Sequence, residues 1–236
     1  DLIDGTMPDA NDFDVWLRIG WNKSENKLFF AAQVTDDFHQ IDRPAGTAGS
    51  LIWQDDNMSI YLDADHSGGQ YGNFRNVTAE EQLRLTGSQA QWFTIAGPPP
   101  DDDFFVNFSA AAWYALPEGA FTAASYIVHG AVGQRTTTNY EFMVVPFDRV
   151  DVRAAFLSRE HVLTESEIIG VNVEFWDFDN RGSNIADARW SLTGGQNAHQ
   201  LAERFADLVL MPLEDRFLPT TIAATSWGHL KRSFLP

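Results

Sequence analysis

Residues 53–69 read WQDDNMSIYLDADHSGG, and their alternation decides the fold class. Met58, Ile60 and Leu62 fall on one side of an extended chain and Asn57, Ser59, Tyr61 and Asp63 on the other, because successive side chains of a strand point to opposite faces. Acids crowd both ends, with Asp55 and Asp56 before the strand and Asp63 and Asp65 after it, and Gly68-Gly69 supplies a turn. The pattern predicts a half-buried strand of an antiparallel sheet, with a polar face open to a ligand and an acidic turn suited to a cation.

The same alternation recurs on both sides. Val15, Leu17, Ile19 and Trp21, a polar turn at 22–27, then Leu28, Phe30, Ala32 and Val34 predict a hairpin. Further strands are expected over 92–95, 121–129, 139–147, 168–178, 188–192 and 207–211. Thr78-Ala-Glu-Glu81 matches a capping box ahead of a short helix with Leu83 and Leu85, and Asn197 is placed to cap a second helix through Arg204. Residues 97–103, GPPPDDD, predict an exposed turn. The expected fold is all-β: a two-sheet antiparallel β-sandwich, jelly-roll-like, with short peripheral helices over residues 1–212. Residues 213–236 are expected to form a C-terminal extension, packed back through Trp227 or serving as a linker.

Composition narrows the partners. With 33 acids against 16 bases the chain carries a formal charge of −17, which opposes nucleic-acid phosphate and anionic lipid at long range. Neutral polymers, cations and basic surfaces fit better. A 236-residue chain that is 44% hydrophobic can bury a large core without staples, and it has no cysteine for a disulfide or a thiolate zinc site. No apolar run approaches the roughly 18–20 residues of a membrane span, so membrane insertion is not expected. The acidic start at Asp1 suits a processed secreted protein or a piece of a larger multidomain one.

The six histidines show no metal-binding spacing, and the nucleophile-elbow, P-loop and dinucleotide fingerprints are missing. Catalysis is therefore not expected. Chemistry concentrates instead on the strand around Asn172, where Asn172, Glu174 and Trp176 share one face and Val171, Val173 and Phe175 the other. Flat aromatic rings suit the C–H face of a pyranose while amides and carboxylates bond its hydroxyls. Trp92, Trp176 and Trp190 are the candidate platforms and Asn172 and Glu174 the candidate hydrogen-bonding groups, whereas Trp16 and Trp21 read as structural. Asp63-Ala-Asp65 and Asp177-Phe-Asp179 each alternate oxygen ligands ahead of a glycine turn, so Asp63, Asp65, Asp177 and Asp179 are candidate calcium ligands. Of the pairs Asp36-Asp37 and Asp55-Asp56 and the run Asp101–Asp103, most are expected to be exposed, since repetition alone does not establish convergence.

Asp56-Asn-Met-Ser-Ile-Tyr-Leu-Asp63 resembles the acid-bounded strand of family 9 carbohydrate-binding modules and their DOMON-like relatives. Leu28–Asp37, Tyr140–Phe147, Ile169–Asp179, Arg189-Trp190 and Phe205–Leu210 follow in the order such domains show, so the likeness spans residues 1–212. The resemblance implies a β-sandwich, aromatic sandwiching of terminal sugar units, with Trp190 and Trp92 as an aromatic pair, and structural calcium. Residues 70–91 and 98–103 depart from the compact pattern. The expected function is noncatalytic binding of a poly- or oligosaccharide, retaining a secreted protein on glycans. The alternatives are a DOMON-like module for haem or another cofactor and a calcium-stiffened structural or adhesion domain.

Overall fold

The structure is a computed structural model and describes residues 1–109, 111–114 and 119–212; the expected extension at 213–236, with Trp227, lies outside them. In chain order the strands are β1 (Leu2–Gly5), β2 (Phe13–Asn22), β3 (Lys27–Asp36), β4 (Asn57–Asp63), β5 (Gln91–Ile95), β6 (Phe105–Asn107), β7 (Thr122–His129), β8 (Thr136–Val144), β9 (Phe147–Arg149), β10 (Arg159–Glu160), β11 (Ile168–Asp177), β12 (Ala188–Ser191) and β13 (Ala206–Val209). Two short helices, α1 (Ala48–Leu51) and α2 (Ala79–Leu85), decorate them. All strand pairings are antiparallel.

Two sheets pack face to face. The larger runs β1-β12-β11-β4-β5-β6, with β13 on the first half of β11, and the smaller runs β2-β3-β8-β7. Alternation explains the layering. Leu28, Phe30, Ala32 and Val34 of β3, Met58, Ile60 and Leu62 of β4, and Val171, Val173 and Phe175 of β11 meet in one core. Phe93 and Phe142 join the two sheets, their ring centroids 4.9 Å apart.

Several expectations are corrected. Strand β4 is buried along both faces, not half-exposed, because two loops form a third layer over the large sheet. Ile41, Ala48 and Ile52 pack on Ala96 and Val106, while Tyr71, Ala198, Ala202 and Phe205 pack on Tyr61. The expected helix after Asn197 is a turn, since Asn197 takes φ +67° and only Ala202–Arg204 wind, as 3-10. Helix α2 does form at Thr78, whose hydroxyl accepts from the Glu81 amide at 3.2 Å, but Glu81 pairs with Arg84 instead of closing the box. Trp21 is structural, donating to the Met211 carbonyl at 2.8 Å. Trp16 is not: it stands 65% exposed on the outer face of the small sheet.

Candidate functional site

The outer face of the large sheet carries ordered polar rows, because residues of one parity on β11, β4 and β5 cannot reach the core. Register places Asn172 beside Tyr61 and Trp92, Glu174 beside Ser59 and Thr94, and Trp176 beside Asn57. Glu174 accepts from the Tyr61 hydroxyl at 3.0 Å and from Asn172 Nδ2 at 3.2 Å, with Arg189 Nε 3.8 Å away. Ser191 Oγ donates to Asn172 Oδ1 at 2.9 Å, and the Ser59 and Thr94 hydroxyls meet at 2.8 Å. Burial pushes the Glu174 carboxyl up from its ordinary range, and Arg189 and these hydrogen bonds pull the other way. Asn172 and Glu174 are thus brought together as expected, inside a network that holds them rigid.

The three tryptophan candidates part company. Trp176 lies on this face, partly exposed, with the Arg189 guanidinium carbon 4.6 Å from its ring centroid and the Trp53 ring 6.5 Å away at 67°. Its indole N–H makes no hydrogen bond of ordinary geometry, though it lies close enough to Glu174 to help hold that carboxylate charged. Trp92 shares the face but has neither ring surface free: Phe108 stacks on it at 4.0 Å and Tyr61 at 5.5 Å. Cross-strand register forces that three-ring ladder. Trp190 is excluded from this face altogether. It pairs with Phe175, a core-facing residue, so its ring turns towards the core, partly buried, where it lines a cavity together with Phe13, Val15 and Val173. Trp92 and Trp190 therefore do not form an aromatic pair.

Acidic groups converge at one rim between the sheets. The core-facing rows of β3, β4 and β11 continue in parity from Val34, Met58 and Phe175 to Asp36, Asp56 and Asp177, all buried, which corrects the expectation of exposure for Asp36 and Asp56. Ligand atoms of Asp12, Asp177 and Asp179 lie within 4.8 Å of one another, as do those of Asp36, Asp37 and Asp179. Both Asp177 carboxylate oxygens are buried without a hydrogen-bond partner, as is one oxygen of Asp179, while Asp36 Oδ2 has only the His39 ring, 3.4 Å away. Burial and the charges of Asp56 and Asp36 push Asp177 up to about 9. Unsatisfied carboxylates in such a place fit a hard, oxygen-seeking cation. Beside them, burial alone would lower His39, but hydrogen bonds to Asp36 and Asp56 overcome it and push the imidazole up to about 10.

The other acidic turn is built differently. Asp63 accepts from Gly68 N at 2.8 Å and Ser67 N at 3.3 Å, and Asp65 pairs with Arg159 at 3.1 Å. These bonds close the turn. Among the described residues no third acid converges with Asp63 and Asp65, so of the four expected metal ligands the structure gathers Asp177 and Asp179 only.

No protein-family model matches the chain, and no curated protein sequence matches it. Solved structures do. A family 9 carbohydrate-binding module from Caldicellulosiruptor kristjanssonii in complex with cellotriose aligns at TM-score 0.54 and 12% identity, over 94% of this chain and 88% of that one. A second structure of a family 9 module from that organism, in complex with glucose, aligns at TM-score 0.54 and 14% identity, over 93% and 95%. The chain has the family 9 carbohydrate-binding module fold. Within that fold the outer-face site gains residues beyond those expected from sequence. Trp53 comes from the loop before β4, which a buried pair between Arg43 and Asp55 fixes in place, with Arg43 Nη2 also donating to the Asp103 carbonyl at 2.5 Å. Arg189 comes from β12, two residues from Ser191 and so on the same face. Trp53 heads the stretch that decides the fold and Arg189 belongs to the family-like pair Arg189-Trp190, but alternation gives neither a binding role, since both reach the site through strand pairing and a long loop.

Proposed function

We propose that the domain is a noncatalytic carbohydrate-binding module and that the Glu174 constellation on its outer face is the sugar site. The single observation that carries this is the juxtaposition of two tryptophan rings, Trp53 and Trp176, with a carboxylate fixed by Tyr61 and Asn172 and flanked by Arg189. Rings receive the apolar face of a pyranose, and the partly exposed Arg189 guanidinium receives its hydroxyls while the buried Glu174 carboxylate orients that guanidinium from beneath. The family 9 fold, seen elsewhere with cellotriose and glucose, supports a neutral gluco-oligosaccharide as ligand. Glu174 is a single buried carboxylate held by Tyr61, Asn172 and Arg189, whereas glycosidases work with a pair of carboxylates.

Calcium belongs to the same reading. Asp12, Asp36, Asp37, Asp177 and Asp179 supply hard oxygen ligands, and the ion would satisfy the buried Asp177 oxygens and brace the rim. The module then retains a larger, secreted protein on glycans. Titration calorimetry with cellotriose tests the site: saturable binding lost in Trp176→Ala and Glu174→Ala supports it, and binding untouched by both rejects it.

A further inference from the structure

Helix α2 is capped by Thr78 and, among the described residues, has no fully buried inner stripe. No α2 residue is buried, and Ala79, Gln82, Leu83 and Thr86, spaced as one helical face, line a cavity of about 560 Å3. The stacked Trp92 and Phe108 rings line it too, as do Asn73, His199 and Gln200. The volume falls in the range of small-ligand sites, roughly 300–1,000 Å3. The indole N–H of Trp92 is buried without a partner. In a chain of net charge −17, no carboxylate, lysine or arginine lines this space among the described residues. Its polar groups are amides, hydroxyls and one imidazole that burial keeps below its ordinary pKa, hence neutral.

We infer that this cavity is a second binding site, for one or two units of a neutral saccharide, set beside the Glu174 site and separated from it by the Tyr61 ring. Aromatic edges and Leu83 meet the C–H surface, while Gln82, Asn73 and Gln200 offer both donors and acceptors without charge. An anionic sugar would find no counter-charge there. The inference rests on the saccharide chemistry proposed for the outer face but on none of its residues, so the two can fail separately.

The test is a nuclear magnetic resonance titration of the full chain with cellotriose, xylotriose and mannotriose, following backbone amides and indole N–H signals. At least one trisaccharide is expected to shift Gln82, Leu83, His199 and the Trp92 indole. Leu83→Trp, at an exposed helix position, should fill the cavity and weaken these shifts at least tenfold while leaving those at Trp176. Trp176→Ala should do the reverse. Shifts confined to the Trp176 region overturn the second site and leave the first; shifts confined to α2 and Trp92 do the opposite. No shifts at α2 and Trp92 with any of the three sugars overturn the saccharide inference.

Discussion

The Tyr61 hydroxyl donates to Glu174 across the paired strands β4 and β11 at 3.0 Å, while the same tyrosine ring stacks on Trp92. One side chain thus orients the carboxylate of the proposed sugar site and anchors the aromatic ladder beside it. Tyr61→Phe keeps the ring and removes the donor to a buried charged group, which costs roughly 1.5–3 kcal/mol. Urea unfolding should show that loss, and calorimetry should show weaker cellotriose binding because Glu174 is left to Asn172 and Arg189. Unchanged binding in a destabilised Tyr61→Phe protein would mean that the hydroxyl serves the fold alone.

Trp176 and Trp190 separate binding from packing. Trp176→Ala removes a partly exposed ring from the outer face, so cellotriose affinity should fall at least tenfold, about 1.4 kcal/mol, with a modest change in Tm. Trp190→Ala removes partly buried packing on the core and should cost about 2–3 kcal/mol of stability, with affinity per folded molecule preserved. Paired thermal unfolding and calorimetry on the two variants would show the opposite pattern if Trp190 carried the sugar.

How far the sequence could be read follows from what alternation encodes. Parity along Asn57–Asp63 and Ile168–Asp177 identifies core and outer faces, so Asn172, Glu174 and Trp176 could be placed together before any coordinates. Parity also runs on into Asp36, Asp56 and Asp177, and following it past the last apolar residue would have marked the acidic rim. What alternation cannot carry is cover from distant loops. The burial of Tyr61 depends on Tyr71 and Phe205, that of Ala96 on Ile41 and Ile52, and the inward turn of Trp190 on its register with Phe175. The short strands β1, β6, β9 and β10 offer too few residues to show a period.

Arg43 and Asp55 hold the loop that presents Trp53. Both are buried, and Asp55 also accepts from the Asp42 amide at 3.0 Å. Asp55→Ala strands the guanidinium and should destabilise by about 3–5 kcal/mol, whereas the double change Arg43→Met with Asp55→Leu should recover much of it. Sugar affinity should fall in the single variant at temperatures where it remains folded, since Trp53 loses its support. Additive losses in the double variant would show that the two side chains act independently.

Calcium at the rim predicts a metal-dependent Tm. An ion present at about 100 times its Kd adds about 2.7 kcal/mol, which in a domain of this size corresponds to roughly 5–10 °C. Differential scanning calorimetry with millimolar calcium and with chelator should differ by that order, and Asp177→Asn should abolish the difference. Equal transitions in both conditions for the wild-type chain would remove calcium from the rim.

Asp63 sets the pH dependence at the other end of β4. Burial, followed in the raising direction by its hydrogen bond to Asp65 and that residue's charge, pushes Asp63 up to about 6, although the Gly68 and Ser67 amides favour the ionised form. The unfolded value is ordinary, about 3.9. Between those two values the folded chain binds a proton that the unfolded chain has released, so this group makes stability fall as pH rises from about 4 to about 6. Above that window its cost is constant. Asp63→Asn keeps an acceptor for the turn amides but cannot ionise, so relative to wild type it should gain on the order of 1–2 kcal/mol on going from pH 4 to pH 7. Urea midpoints of both proteins across that range measure the difference, and a carbon-detected titration of the Asp63 carboxyl should show its midpoint near 6; a midpoint near 4 would assign the slope to other groups.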